Sequence, residues 1–421
     1  MGRDSSALNR ALSWLLKTSL AGSAGDLLSR FRDRGYGGAT IIRYIRSIAH
    51  FGQWLDNTRV SPSDLSEALV LDFLDRHLPR CRCRARIDRD RKCVRAGLVH
   101  LATVLHETGV APAFRDREIW SSATRRELDQ FDEHLDRTRG ASEATRTWCR
   151  RYVGYFLDWR FGDNPVAPEE LRAEDFRRFL LDRSSHCRSG TVGVIATALR
   201  IYLRYLVLLG HFVEHLIDSI PRAAQWSKAR LPQHLTEEQE ERFLRAPDRS
   251  RPTGRRDYAM FLMMCRLGLR VSEVADLTLG DIDWRQGTVS VHMAKSRRIH
   301  TLPLPSAVGD AVVAYLHDGR PGSRDRHVFL RHRPPVGRGV SRGLIRGAAR
   351  RAYQSAGLAS SWTGTHRLRH TAAVRMVQGH ASIKQIADVL GHRCVDTTAI
   401  YAKVDIEALR EVALPWPGRA T

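Results

Sequence analysis

His366-Arg367-Leu368-Arg369-His370, continued by apolar residues to Gln378 and then by Ile383 to Leu390, Gly391, His392 and Tyr401, is the stretch on which the reading of this chain turns. Apolar positions in 368–378 and 383–390 recur at helical spacing, which predicts two helices, the second stopped by Gly391. Working outward, Thr288-Val289-Ser290-Val291-His292-Met293 alternates as a strand after the turn residue Gly287, and 299–304 reads as a second strand. Further helices are expected at 255–267, 307–316, 341–356 and 405–412. The last part of the chain is therefore mainly helical with a small antiparallel sheet.

An internal repeat occupies the first half. The segment from Gly38 to Trp54 is echoed 105 residues later, pairing Ala39 with Ala144, Thr40 with Thr145, Arg46 with Arg151, Phe51 with Phe156 and Trp54 with Trp159. A proline follows each copy, then a second helix in which Leu65, Phe73 and Leu74 answer Leu171, Phe179 and Leu180. A third helix, 98–109 in one copy and 199–210 in the other, closes each. Thr, Arg and Trp in register favour duplication over chance likeness between amphipathic helices. Pro221 to Pro232 is basic and proline-marked, as a linker is, and Thr236 with Gln239 reads as a capping box that opens the next helix. Domains at 1–120, 121–225 and 226–421 are expected.

The formal net charge of +22, mostly from arginine spread along the chain, calls for a polyanionic partner. A bias toward arginine codons accounts for Arg over Lys but not for the surplus over Asp and Glu. No apolar run approaches the length of a bilayer span, and the N-terminus shows no signal pattern, so a cytoplasmic protein with no membrane partner is expected. The seven scattered cysteines read as reduced thiols. His77, Cys81, Cys83, Cys93 and His100 gather in one basic stretch, but Cys-x-Cys departs from the usual Cys-x-x-Cys zinc knuckle. Neither a metal nor a cofactor is expected.

The residue types in the last domain suit one chemistry. A phosphodiester under attack gathers charge on its non-bridging oxygens, and Arg270 and Arg369 are fixed cations suited to hold it. Tyr401 can act as nucleophile and store the bond as a phosphotyrosine. Lys295, between the two strands and beside Arg297 and Arg298, can protonate the departing sugar oxygen, its pKa lowered by those neighbours. His366 can help take the tyrosine proton, and His392 can hydrogen-bond the phosphate.

In order and spacing these motifs resemble the tyrosine recombinase, or phage integrase, family. Leu267-Gly268-Leu269-Arg270-Val271-Ser272-Glu273 is similar to the family's first-arginine motif. Ala294-Lys295 with Leu302-Pro303-Leu304 is similar to its β-hairpin lysine segment. His366-Arg367-Leu368-Arg369-His370 and Leu390-Gly391-His392 with Thr398 and Tyr401 are similar to its last two boxes. The resemblance spans roughly residues 230 to 413. It implies that Arg270, Lys295, His366, Arg369 and His392 activate the phosphate while Tyr401 forms a 3′-phosphotyrosyl bond, with Glu273 and His370 in support. It further implies that the second repeat is a SAM-like, core-binding helical domain that clamps double-stranded DNA. The first repeat is a possible duplicate of it. By the same resemblance the apolar tail with Leu409, Val412, Leu414 and Trp416 docks on a neighbour in a homotetramer, or in a hetero-assembly with sister recombinases. The expected function is site-specific recombination for integration, excision or transposition of a mobile element. A type IB topoisomerase-like relaxase shares the chemistry, and a DNA-binding regulator would lack a catalytic residue; all six positions are filled.

Overall fold

A computed structural model describes residues 2–83, 87–111, 120–187, 189–221, 232–292, 299–358, 364–392 and 397–404. The described chain is mainly helical with one three-stranded antiparallel sheet. It divides into two compact units, Met1–Gln53 with Ala85–Leu101 and Ser227–Thr421, and Trp54–Arg84 with Ala102–Trp226.

In the second unit, helices Ser122–Arg137, Glu143–Phe161, Ala173–His186 and Ser189–Leu208 enclose an apolar core that includes Leu128, Phe131, Phe156, Phe176, Leu199 and Tyr202. The hydroxyls of Ser121 and Ser142 accept from the backbone N–H groups of Thr124 and Thr145, satisfying donors that a helix start leaves free. Helix Gly190–Leu208 corrects one expectation, because it is long and apolar enough to cross a membrane. Its apolar face is accounted for otherwise. Ile195, Leu199, Tyr202, Leu203 and Leu206 are buried in the bundle, and Arg200 on the same helix hydrogen-bonds the Ile220 and Pro221 carbonyls.

The repeat is visible in this unit as geometry. The Trp54 and Phe73 rings lie 5.5 Å apart at 56°, and their counterparts Trp159 and Phe179 lie 5.5 Å apart at 53°. Each pair is separated in sequence by a short 3-10 turn opened by proline, Pro62–Asp64 in one copy and Pro168–Glu170 in the other. Both third helices end ahead of a glycine in the left-handed region, Gly109 (φ 74°) and Gly210 (φ 91°). They begin earlier than expected, as Arg91–Glu107 and Ser189–Leu208. Burial of Val94 and of Ile195 extends each helix past its less apolar start.

In the first unit, helix Pro252–Arg266 is central. It packs against Ser306–Asp318, Arg342–Ser355 and His366–Gln378, burying Met260, Phe261, Met263 and Met264 among Phe243, Val312, Tyr315 and Tyr353. The expected capping box is formed: Thr236 Oγ1 accepts from Gln239 N, and Gln239 Oε1 accepts from Thr236 N. The sheet is β1 (Ile282–Asp283), β2 (Thr288–His292) and β3 (Ile299–Pro303), in that order, with Val289 opposite both Ile282 and Leu302. Val289, Val291 and Leu302 face the core, as the alternation predicts. β1 was not expected, since two residues are too few to show alternation. At the N-terminal end of the same unit Phe31, Tyr36, Tyr44 and His100 form an aromatic cluster, and Arg34 O accepts from Val336 N at 3.1 Å. Residues 222–231 of the expected linker, Lys295, the expected helix 405–412 and the tail from Leu409 to Trp416 lie outside the described residues.

Candidate active site

Arg369 is the anchor. It sits in the first turn of helix His366–Gln378 with 5% of its surface exposed, and its guanidinium donates to two backbone carbonyls, Gly268 O at 2.6 Å and Leu390 O. These carbonyls belong to the Arg270 turn and to the helix end that precedes His392, so one side chain ties three motifs together. Burial, with Arg270 nearby, pushes Arg369 down to about 10, which still leaves it charged at neutral pH.

Arg270 precedes the short helix Val271–Asp276. Its backbone N–H donates to Glu273 Oε2 and its Nη1 to Glu273 Oε1, both at 2.7 Å. The same carboxylate lies 4.0 Å from Arg369 Nη1. Glu273 is buried, so it offsets the repulsion between two arginines and fixes the direction of each. Arg270, His366 and Arg369 line one cavity of about 150 Å³, together with Ser272, Arg342 and Arg346. A pocket this small, walled by four guanidinium groups, matches a phosphate group in size and charge.

Gly268 makes the socket possible. Its φ is +67°, and a Cβ there would stand 2.6 Å from Leu390 Cδ2. Gly268→Ala is expected to destabilise the protein by about 2–4 kcal/mol, combining left-handed strain with the clash. Because the Gly268 carbonyl holds Arg369, strand cleavage by the folded variant should also fall by roughly tenfold or more. Denaturant unfolding and a single-turnover cleavage assay check both; a variant as stable and active as the parent would contradict the socket.

Tyr401 lies in the 3-10 segment Ala399–Val404 and is 2% exposed, packed with Ala373, Val374, Ile386 and Leu390. Burial pushes its hydroxyl up to about 12, with Arg369 and Arg270 pulling the other way. The phenol is therefore protonated at neutral pH. His370 Nδ1 lies 2.7 Å from Tyr401 Oη. Burial, with His366 and Arg369 adding to it, holds His370 down to about 4, so it is neutral and can accept.

Among the described residues the hydrogen bond to Tyr401 is made by His370, read from sequence as a supporting residue, rather than by His366, read as helping to take the tyrosine proton. His366 faces the arginine cavity and is also shifted down, by burial and by Arg369, Arg270 and Arg346. His366 and His370 are four residues apart on one helix face, with ring centroids 6.2 Å apart. Spacing alone cannot say which of them meets the tyrosine. His392 follows Gly391, a left-handed cap at φ 60°, and its Nδ1 lies 2.7 Å from the hydroxyl of fully buried Thr398. That contact orients the ring and leaves Nε2 for another partner. Burial, then the two arginines, hold His392 down to about 4.

Arg270, His366, Arg369, His392 and Tyr401 are therefore brought together, and Lys295 lies outside the described residues. Arg342 and Arg346 were missed. In a chain with this much arginine, only their place at the start of helix Arg342–Ser355 could have marked them.

A helical fold with a hairpin edge, one arginine anchored by carbonyls, a second tied to Glu273, and a buried tyrosine beside a neutral histidine together suit phosphoryl transfer to a tyrosine. The comparisons with known proteins agree. The profile described as "Phage integrase family" matches residues 233–407. The chain is 36% identical over 389 residues to the candidate integrase/recombinase y4rA of Sinorhizobium fredii, covering 92% of each protein. It is 29% identical to the tyrosine recombinase XerA of Thermococcus kodakarensis, over 68% of this chain and 93% of that one. Among solved structures, a lambda integrase dimer bound to a core site superposes with TM-score 0.53 at 16% identity, covering 79% of this chain and 91% of that one. The Tn1549 transposon integrase in complex with transposon right end DNA gives 0.52 at 17%, covering 67% and 99%. The chain belongs to the phage integrase family of tyrosine recombinases, enzymes that cleave and rejoin DNA strands.

Proposed function

We propose that this recombinase acts on specific DNA sites through a 3′-phosphotyrosyl intermediate, serving the integration, excision or transposition of a mobile element. The observation that carries the reading is the 2.7 Å contact between Tyr401 and neutral His370, beside the two anchored arginines. Tyr401 Oη gives its proton to His370 Nδ1 and attacks the phosphorus. The bond to the 5′ oxygen breaks, and Lys295 protonates that oxygen as it leaves. Arg270, Arg369 and His392 hold the charge that develops on the non-bridging oxygens. Rejoining reverses these steps with a 5′ hydroxyl from another strand, so bond energy is conserved in the phosphotyrosine.

Residues 1–120, 121–225 and 226–421 are proposed as two helical domains and a catalytic domain that together enclose the duplex in the cytoplasm. The surplus of arginine supplies sequence-independent affinity. Recombination joins two sites, so a multimer on DNA is required, as a homotetramer or with sister recombinases. A plasmid carrying one target site separates this reading from a relaxase. A recombinase gives products only when two sites are present; efficient relaxation of the one-site plasmid by single protomers would favour the topoisomerase-like alternative.

The histidine contact predicts a pH profile. Only neutral His370 can take the proton, so its contribution is present above its pKa and lost as pH falls through it. Single-turnover cleavage is expected to hold between pH 8 and pH 5, roughly, and to fall as pH approaches about 4. His370→Phe should slow cleavage by roughly 10²- to 10³-fold and remove that acid limb. A parent rate that already halves near pH 6.5, the ordinary histidine value, would contradict the role given to His370.

A further inference from the structure

We propose that the first repeat holds a zinc ion on His77, Cys81 and Cys83, a site separate from the DNA chemistry. The three ligand atoms, His77 Nε2 and the two sulfurs, lie within 4.8 Å of one another. Cys83 Sγ is 4.0 Å from His77 Nε2. Zinc bond lengths of about 2.3 Å to sulfur and about 2.0 Å to nitrogen give a tetrahedral ligand-to-ligand edge of about 3.6 Å, so the Cys83–His77 pair is within a few tenths of an ångström of that spacing and no pair has to close by more than about 1.2 Å. The donor set, two thiols and an imidazole, suits zinc better than a hard cation.

Three further features are those of a built site. The backbone N–H of Cys83 donates to Cys81 Sγ at 3.2 Å, the kind of contact that stabilises a metal-bound thiolate. The His77 ring is stacked on Phe73, with centroids 5.2 Å apart at 21°, which fixes its orientation. The turn Phe73–His77 is π-helical, an uncommon local winding that is frequent at functional sites. The repeat itself supplies a control. Carrying forward the offset that relates Phe73 to Phe179 puts Arg183 and Ser189 opposite His77 and Cys83, and there the helix Ala173–His186 runs on without a π turn. Cys187 stands opposite Cys81, so the second repeat keeps one of the three ligands, lacks the other two, and lacks the distortion.

The other members of the cysteine- and histidine-rich stretch are engaged elsewhere. His100 Nε2 is 3.0 Å from the Tyr36 hydroxyl, and Cys93 is hydrogen-bonded to Asp88. Cys-x-Cys fails the usual knuckle spacing, but that spacing describes two cysteines on one hairpin turn. Here a histidine four residues before Cys81, on the preceding helical turn, supplies the third donor, and water or another side chain completes the tetrahedron.

The test is metal analysis of the full-length protein, produced without a histidine tag in zinc-supplemented cells and purified without chelator. About one zinc per chain is expected, falling roughly fivefold or more in both Cys81→Ser and Cys83→Ser and unchanged in Cys187→Ser. Because the first two variants could misfold, the unmodified protein is also reconstituted with cobalt, where thiolate ligation produces intense near-ultraviolet charge-transfer absorption. Less than roughly a tenth of an equivalent of zinc, or cobalt spectra without that absorption, would overturn the proposal. So would a Cys81–Cys83 disulfide in the freshly isolated protein, or zinc retained by the double serine variant.

Discussion

Tyr401→Phe is expected to abolish strand cleavage, with a loss of roughly 10⁴-fold or more in single-turnover rate, while DNA affinity stays within about threefold. The asymmetry follows from where the residue sits. Its ring is packed with Ala373, Val374, Ile386 and Leu390, and phenylalanine keeps that packing. Only the hydroxyl and its contact to His370 are lost, at a cost in stability of about 1 kcal/mol. No other residue in the account supplies a nucleophile, so no slower route should remain. Denaturing electrophoresis of complexes with nicked duplex measures the first quantity, and equilibrium binding to intact duplex the second. Residual DNA-linked protein in Tyr401→Phe would move the nucleophile elsewhere.

Arg369→Lys is the second large effect, a loss of roughly 10²- to 10³-fold in cleavage, again with DNA binding retained. The substitution keeps the charge but not the fork. The guanidinium reaches the Gly268 and Leu390 carbonyls at once and still faces Glu273, whereas an ammonium is a single point that cannot span the two carbonyls in the same geometry. A carbonyl left without its donor in a buried site costs about 1–3 kcal/mol, so the melting temperature should fall as well. Arg270→Lys provides the comparison. Arg270 is a third exposed and is tied by its side chain to Glu273, so its replacement should cost catalysis with a smaller loss of stability. Equal stability losses in the two variants would contradict the description of Arg369 as the tie between motifs.

Much of this was legible in the sequence because the relevant signals are local. The capping box at Thr236 and Gln239, the alternation of Val289 and Val291, and the glycine stop before His392 each depend on a few adjacent residues, and each is formed. What was not legible depends on tertiary placement. His366 and His370 share a helix face, and only packing against the segment that carries Tyr401 selects His370. Arg342 and Arg346 reach the cavity from a helix about 70 residues beyond Arg270, hidden in an arginine-rich background. β1 is two residues long and carries no periodicity. The π turn before Cys81 is a change of winding that apolar spacing does not encode, and it carries His77, the histidine of the cluster with Cys81 and Cys83.

The central claim is that Tyr401 becomes covalently joined to a 3′ phosphate. The most direct test traps the enzyme on a nicked substrate from its own element, in the presence of chelator, then digests the adduct and maps the modified residue by mass spectrometry. The account predicts a nucleotide attached through its 3′ phosphate to the peptide containing Tyr401, with a 5′ hydroxyl released on the departing strand. Attachment to another residue, a 5′ phosphate linkage, or no adduct on DNA that the protein demonstrably binds would contradict it.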